Sequence, residues 1–542
     1  MKRANILMTA LLAGTAAVPA HARTEVHPYL EVQQVFDADL SGGNGNGGSN
    51  AYTGVGAGID ILFDQPRLHG QIDYRYDHFF SWKRRYDDGD IHTGLANVNY
   101  ALTPEISLNA AGVATRTRGS LGYATPGAFN GNFSNTQQVY AAQAGPSYAG
   151  IVGPLSVTAD YRFGWTKVDN GYGDLDLGPG QPVLDQAFTS TSHAIDASVG
   201  QPTGSSGLPF GWTASGGYVR DDIHVLGARY EGYFGRIDAT VPLSPTLAAL
   251  GGLGWERNRI SQDQILTDAA GNAVLTEKRH LRSDHSQPRI LDYDQDGLIW
   301  DVGVLWRPSP RLSVEVHGGR RYGETAVTGQ ASWQLDRQNT LSVVAYNDVQ
   351  SFGRQLAGSA GALPTSFASP NSGIPIAVGG CVFGANGGQG GCLTGLSSVN
   401  SNFYRSRGVA AVWSAVRGRW TYGLGASYDH RRYLAGNYGA TNVVSFDGVH
   451  DDVVTVNGIA SRALTANSAI SGTVYVAWYD TDLLNSPSYT TYGGTVAYSR
   501  QFGRRLTGQA AVSIYSGSYG NSFGDDDQDV YGSALLALRY SL

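Results

Sequence analysis

From Tyr29 to Leu542 the chain alternates between apolar and polar residues in segments of about ten, and this period of two restricts the fold more than any other feature. In Leu68 to Asp77, one set of positions reads Leu, Gly, Ile, Tyr, Tyr and the other reads His, Gln, Asp, Arg, Asp. Leu155, Val157, Ala159, Tyr161, Phe163 and Trp165 likewise oppose Ser156, Thr158, Asp160, Arg162, Gly164 and Thr166, and the stretch Trp420 to Asp429 repeats the pattern. About ten residues is the length at which a tilted strand crosses a bilayer.

Soluble sandwiches alternate too, so the connections have to decide. A short form recurs: a few turn residues, then a large apolar residue that starts the next strand. It occurs at Gln65-Pro66-Arg67-Leu68, Thr103-Pro104-Glu105-Ile106, Val152-Gly153-Pro154-Leu155, Leu208-Pro209-Phe210-Gly211-Trp212 and Ser244-Pro245-Thr246-Leu247. It occurs again at Pro308 to Leu312, Arg337 to Leu341, Arg417 to Trp420, Ala466 to Ile470 and Gly503 to Leu506. Longer Gly-, Ser-, Asn- and Asp-rich connections lie between, including 40–50, 119–137, 169–189, 260–296, 350–402 and 516–529. Short and long connections in alternation predict an all-β fold: a single large antiparallel transmembrane β-barrel with short periplasmic turns and long extracellular loops. Ten turns and two terminal strands give about 22 strands, within a range of about 18 to 24.

The N-terminus supports export. Lys2 and Arg3, an apolar run from Ile6 to Val18, and Ala20-His21-Ala22 have the three-part form of a secretory signal peptide. Residues 1–22 are read as that peptide, cleaved after Ala22 on the Sec pathway, and 23–542 as the barrel in the cell outer membrane. Strand-like alternation resumes at Tyr29, which leaves no room for an N-terminal plug domain. A net charge of −7 disfavours nucleic acid as a partner. At the other end Leu536, Leu538, Tyr540 and Leu542 share one face of a last strand, a pattern like the signal read by the outer-membrane assembly machinery.

By the same alternation, Asp73, Arg75, Asp77, Asp160, Arg162, Asp196, Arg236, Asp238, Asp301, Glu315, His317 and Arg419 are candidates for the lumen. Their signs are mixed, which fits salt-bridge ladders or a weakly selective pore better than a single-sign filter. Tyr74 with Tyr76, Phe163 with Trp165, Trp300 with Trp306, and Trp478 fit interfacial girdles. Cys381 and Cys392, in an oxidising compartment, are expected to form a local disulfide within loop 350–402. That loop has two open readings, folded inward to narrow the pore or held outside.

No catalytic, cofactor or metal site is expected. Asp292-Tyr293-Asp294-Gln295-Asp296-Gly297 resembles the start of a calcium loop but has Gly303 where the closing carboxylate belongs. The cluster Asp525, Asp526, Asp527 and Asp529 reads as a solvated loop. Tyr-Asp-His occurs at Tyr76-Asp77-His78 and at Tyr428-Asp429-His430. Alternation sends Asp and His to opposite faces, which disfavours an enzyme. The residues that follow, Lys83, Arg84, Arg85 and Tyr86, and Arg431, Arg432 and Tyr433, are read as anchors for lipopolysaccharide phosphates.

Pro28-Tyr29-Leu30-Glu31-Val32 with Val35 to Leu40, the strand Tyr74-Arg75-Tyr76, and Gly297 to Pro308 together resemble the β-barrel porins associated with exopolysaccharide and PEP-CTERM loci of proteobacteria. The resemblance spans nearly the whole mature chain and implies a Gram-negative outer-membrane porin, with polysaccharide as a candidate partner. It assigns no active-site residue. The function expected is a porin-like passive channel, linked to saccharide or exopolysaccharide export. The alternative is a closed structural barrel whose loops bind envelope polymers.

Overall fold

The computed structural model describes residues 23–40, 49–83, 88–120, 123–126, 136–169, 174–175, 184–185, 187–205, 207–368, 380–397, 399–436, 440, 442–443, 445–482, 489–517 and 529–542. The expected signal peptide, Arg84 to Tyr86 and Asp525 to Asp527 lie outside these residues.

Twenty-two long strands build the wall. They are β1 (Arg23–Asp39), β2 (Asn50–Asp64), β3 (Leu68–Ser81), β4 (Gly89–Ala101), β5 (Ile106–Ser120), β6 (Thr136–Val152) and β7 (Leu155–Asp169). Next come β8 (Phe188–Gln201), β9 (Gly211–Ile223), β10 (Ala228–Ser244), β11 (Leu247–Gln262), β12 (Ile290–Ser309), β13 (Leu312–Arg321), β14 (Glu324–Asp336) and β15 (Asn339–Ser351). The last are β16 (Phe403–Arg417), β17 (Trp420–Tyr433), β18 (His450–Thr465), β19 (Ser468–Thr481), β20 (Tyr489–Gln501), β21 (Leu506–Gly517) and β22 (Asp529–Ser541). Each pairs antiparallel with its neighbours in sequence, and β1 pairs with β22 from Tyr29↔Ser541 to Asp39↔Tyr531. The sheet is therefore a closed ring, which removes the free edges that a lipid environment forbids.

All ten predicted short turns join strands at one end of the ring. At the other end strict alternation of short with long fails twice: His224 to Gly227 joins β9 to β10, and only Tyr322 and Gly323 join β13 to β14. The second is a tight hairpin with both residues at positive φ, 54° and 75°, the left-handed geometry such a turn requires. The stretch between β11 and β12 adds a two-rung ladder, Gln264–Ile265 with Ser283–Asp284, and two isolated bridges, none of which joins the ring, so the strand count holds. The calcium-like segment Asp292 to Gly297 is part of strand β12, whose ladder with β11 shifts register at Asp292, and Asp294 is engaged by Arg257 and Arg259.

The outer face is apolar across the middle of the wall. Leu253, Leu298, Val302, Val304, Val474, Val496, Val512, Leu536 and Leu538 point away from the ring and are exposed. Trp300, Trp306, Trp333, Trp478, Tyr498 and Tyr540 project on the same side. A continuous apolar belt of this kind matches hydrocarbon and would drive aggregation in water. Val302, 63 % exposed, sits near the middle of the belt. Replacing it with arginine is expected to lower stability by about 2–4 kcal/mol in lipid vesicles. Denaturant unfolding measures this, and an unchanged midpoint would mean that the face does not meet lipid.

The lumen-facing side is not uniformly polar. The main apolar core of the described residues lies inside the ring, where Leu95, Val113, Val139, Val168, Phe188 and Tyr230 from the wall meet Phe352, Leu356, Leu363, Leu393 and Leu396 from the segment between β15 and β16.

Candidate functional site

That segment decides between the two readings of loop 350–402: it folds inward. It begins as helix α1 (Phe352–Gly361), whose N-cap Ser351 accepts a hydrogen bond from Arg354 N at 3.1 Å. The same hydroxyl donates to Asp221 Oδ2 on β9 at 2.6 Å, so the helix start is tied to the wall as well as capped.

From there α1 bridges two walls that stand ten places apart in a ring of 22, near the maximum. On the β7 side, Thr166 Oγ1 donates to Gly353 O at 3.1 Å, and Ala357 lies against Gly164. On the β16–β17 side, Tyr404 OH donates to Gln355 Oε1 at 2.6 Å and Gln355 Nε2 donates to Asp429 Oδ2 at 3.2 Å. So close an approach needs small residues. A Cβ added at Gly353 would lie 1.9 Å from Ser190 Oγ.

Beyond the helix the chain descends. Asn97 Nδ2 on β4 donates to Leu363 O at 2.5 Å, and Phe367 N donates to Gln71 Oε1 on β3 at 3.0 Å. The disulfide Cys381–Cys392 ties a two-rung hairpin, and Asn457 on β18 clasps Cys381 with two hydrogen bonds of 3.2 Å each. Gln389 Nε2 reaches Ser332 Oγ on β14 at 2.6 Å. Gly387, at φ 75°, abuts the carbonyl of Gln338 in the short turn between β14 and β15. A loop that leaves the wall at the long-loop end thus reaches the opposite mouth, and acts as an internal plug.

Two buried polar clusters fasten it. Arg431, with 0 % of its side chain exposed, donates from Nε to Asp429 Oδ2 at 2.8 Å and from Nη2 to Gln355 Oε1 and Thr394 O at 3.2 Å each. Its guanidinium also lies 4.7 Å from the centre of the Tyr404 ring. Across the lumen Arg354 pairs with Asp348 at 3.3 Å and faces Asp221 at 3.7 Å, while Tyr322 OH donates to Asp348 at 2.6 Å. Arg431 is therefore no anchor for lipopolysaccharide, and neither is the buried Tyr433. The strand's period of two turns both inward, and only Arg432 faces out.

Of the residues expected in the lumen, all but Arg419 lie on strand faces opposite the outward apolar residues. On β3, Arg75 binds Asp77 at 2.6 Å and Glu31 at 3.0 Å, Gln33 donates to Asp77 at 3.0 Å, and Asp73 accepts from Gln71 at 3.2 Å. Arg539 completes this cluster through Glu31 at 3.0 Å. Glu31, Gln33 and Arg539 escaped the sequence reading, although each lies at a polar position of an alternating strand. Asp160 stands in register beside Asp196, which pairs with Arg162 at 3.2 Å. Arg236 joins Asp238 and Asp301, the latter at 2.7 Å, and His317 joins Asp301 at 2.8 Å and Glu315 at 3.0 Å. Arg419 is the exception: it occupies the turn after β16 and donates to Leu464 O near the end of β18.

The two Tyr-Asp-His triplets split as alternation requires. Asp77 and Asp429 face inward, while His78 binds Asp90 at 2.8 Å and His430 binds Asp452 at 3.0 Å on the outer face. Tyr76 and Tyr428 donate to the same two carboxylates at 2.6 and 2.7 Å. Lys83 lies at the rim, donating to Ser49 O. Leu536, Leu538, Tyr540 and Leu542 all face outward.

No protein-family model and no curated protein matches the chain. Solved structures similar to it include the FrpB iron transporter from Neisseria meningitidis, at 10% identity and TM-score 0.45, covering 95% of this chain and 81% of that one. The ferric-catecholate import receptor Fiu from E. coli K12 has 8% identity, TM-score 0.45 and the same coverage. The siderophore receptor PiuA from Acinetobacter baumannii has 10% identity and TM-score 0.41, covering 95% of this chain and 82% of that one.

Proposed function

We propose that the chain is an outer-membrane channel for small polar solutes, saccharides among them, whose conductance is set by its own outer loop acting as a plug. One observation carries this reading: the described residues 352–368 and 380–397 make contacts from the long-loop end to the short-turn mouth inside a ring wide enough to need filling. The short-turn end faces the periplasm in such barrels, so the plug enters from outside the cell. The charged groups beside it are largely paired with one another, which favours weak charge selection over an ion filter. A polysaccharide strand would pass only with the plug displaced. The outward apolar residues of β22 would present the assembly signal, and the leader would be removed after Ala22.

Planar-bilayer recording on the refolded full chain tests the reading. Small stepwise currents that differ little between cation-rich and anion-rich gradients are expected. The buried apolar core of the plug favours the rival, a permanently closed barrel, and a folded protein that gives no steps at any voltage would decide for it.

A further inference from the structure

We propose that a break in the wall between β14 and β15 seats the phosphate of an outer-leaflet glycolipid. The inference rests on the barrel standing in an outer membrane, and not on whether its lumen conducts.

The ladder between these strands runs only from Asp336↔Asn339 to Gly329↔Ala345. Eight residues of β14, from Gly329 to Asp336, are fewer than the roughly 9–11 that a strand needs to cross hydrocarbon. The seam therefore opens within the half of the membrane nearer the long loops. Above it β13 and β14 stay paired to each other up to Arg321↔Glu324, and β15 stays paired to β16 up to Ser351↔Phe403. The upper ends of β15 and β16 lean inward, so that Phe403 meets Tyr230 of β10 at 6.1 Å between ring centres.

Backbone groups exposed by such a break must find partners at membrane depth. Arg405 donates to two backbone carbonyls beside the break, one on β14 and one on β13. Its side chain, only 4 % exposed, donates to Arg321 O at 3.2 Å, Thr325 O at 3.3 Å and Asn347 Oδ1 at 3.0 Å. It also meets Glu324 at 2.8 Å.

Two further guanidiniums share that carboxylate. Arg407 binds Glu324 Oε2, and Arg432 binds Oε1 at 3.2 Å. Both are open to the outside, at 39 % and 48 % exposure. Two nearby carboxylates are engaged by other groups, Asp452 by Tyr428 and His430 and Asp482 by His450. One glutamate thus faces three arginines, leaving guanidinium N–H groups to spare. Val327 and Val409 project outward on β14 and β16, nearer the short turns than Arg407 is, while Glu324 lies on the inner face of β14 and is met by Arg407 and Arg432 where the seam is open. An amphiphile fits this arrangement, with acyl chains along the valines and a phosphate gripped by Arg407 and Arg432 in the fork geometry that guanidinium favours.

Native mass spectrometry of the refolded full chain in detergent, with bis-phosphorylated lipid A added, tests the site. The chain is expected to retain one lipid, and an Arg407→Gln, Arg432→Gln double variant to retain about tenfold less. Heat-modifiable mobility on gels checks that the variant is folded. Equal retention by the folded variant, or equal retention of dephosphorylated lipid A, overturns the proposal. Complete displacement of the lipid by millimolar inorganic phosphate also overturns it, since the seat would then hold a free anion.

Discussion

Deleting Gly358 to Ser398 raises single-channel conductance by about an order of magnitude, because the remaining ring has the girth of barrels that must be plugged to stay tight. The cut removes the far end of α1, Leu363 and Phe367 with their hydrogen bonds to β4 and β3, and the disulfide hairpin at the short-turn mouth. It leaves β15 and β16 whole, and their ladder from Asn339↔Ala415 to Ser351↔Phe403 needs nothing from the plug. Bilayer recording on wild type and deletion side by side is the measurement, with heat-modifiable mobility to show that the ring is closed. A folded deletion with unchanged conductance would refute the plug as the current-limiting element.

Arg431→Met is expected to release the plug while leaving the wall intact. Removing one member of a buried ion pair leaves the other charge without compensation, at a cost of about 3–5 kcal/mol. Here Asp429 would keep Gln355 and Ser406 as donors but lose its cation, Gln355 would lose one of its two bonds to β17, and Thr394 O, farther along the plug, would lose its donor. The ladder of β16 with β17 is backbone and stays. Hydrogen exchange should therefore speed up across Phe352 to Leu363 and stay slow in the strands. Adding Asp429→Asn should restore most of the protection, since the orphaned charge goes with it. Fast exchange in the double variant equal to that of Arg431→Met would locate the loss in packing and not in charge.

The reasons for success and failure of the sequence reading are physical. A period of two is local, so Leu68 to Asp77 and Leu155 to Thr166 declare their faces without reference to any partner. Turn chemistry is local as well, and every Pro-, Gly- or Asn-marked turn joins the strands it was expected to join. The tight turn at Tyr322-Gly323 was missed because Tyr322 does not advertise the left-handed conformation it adopts. Arg431 was misplaced because its neighbours Arg432 and Tyr433 made a basic, aromatic cluster in sequence that the strand's pleat divides between two faces.

The inward course of residues 352–368 and 380–397 left one local trace. Leu95, Val113, Val139 and Val168 occupy positions where alternation calls for polar groups, and each packs inside the ring in the core that the plug completes. Apolar residues on the water-facing side of a pore wall mean that something covers them. The small residues Gly164, Ser190 and Ser192 on the same side mark where it comes closest.

What the sequence determined by itself was the wall: strand, turn, facing and number follow from a repeat that each segment carries alone and that lipid on one side and water on the other enforce. Only the tertiary structure decided what fills that wall and where it parts. Gln355 meets Asp429, Ser351 meets Asp221, and Arg405 meets the carbonyl of Thr325, across separations of 74, 130 and 80 residues. No short-range pattern encodes such meetings. They exist because closing the ring and turning the segment after β15 inward bring together groups that lie far apart along the chain.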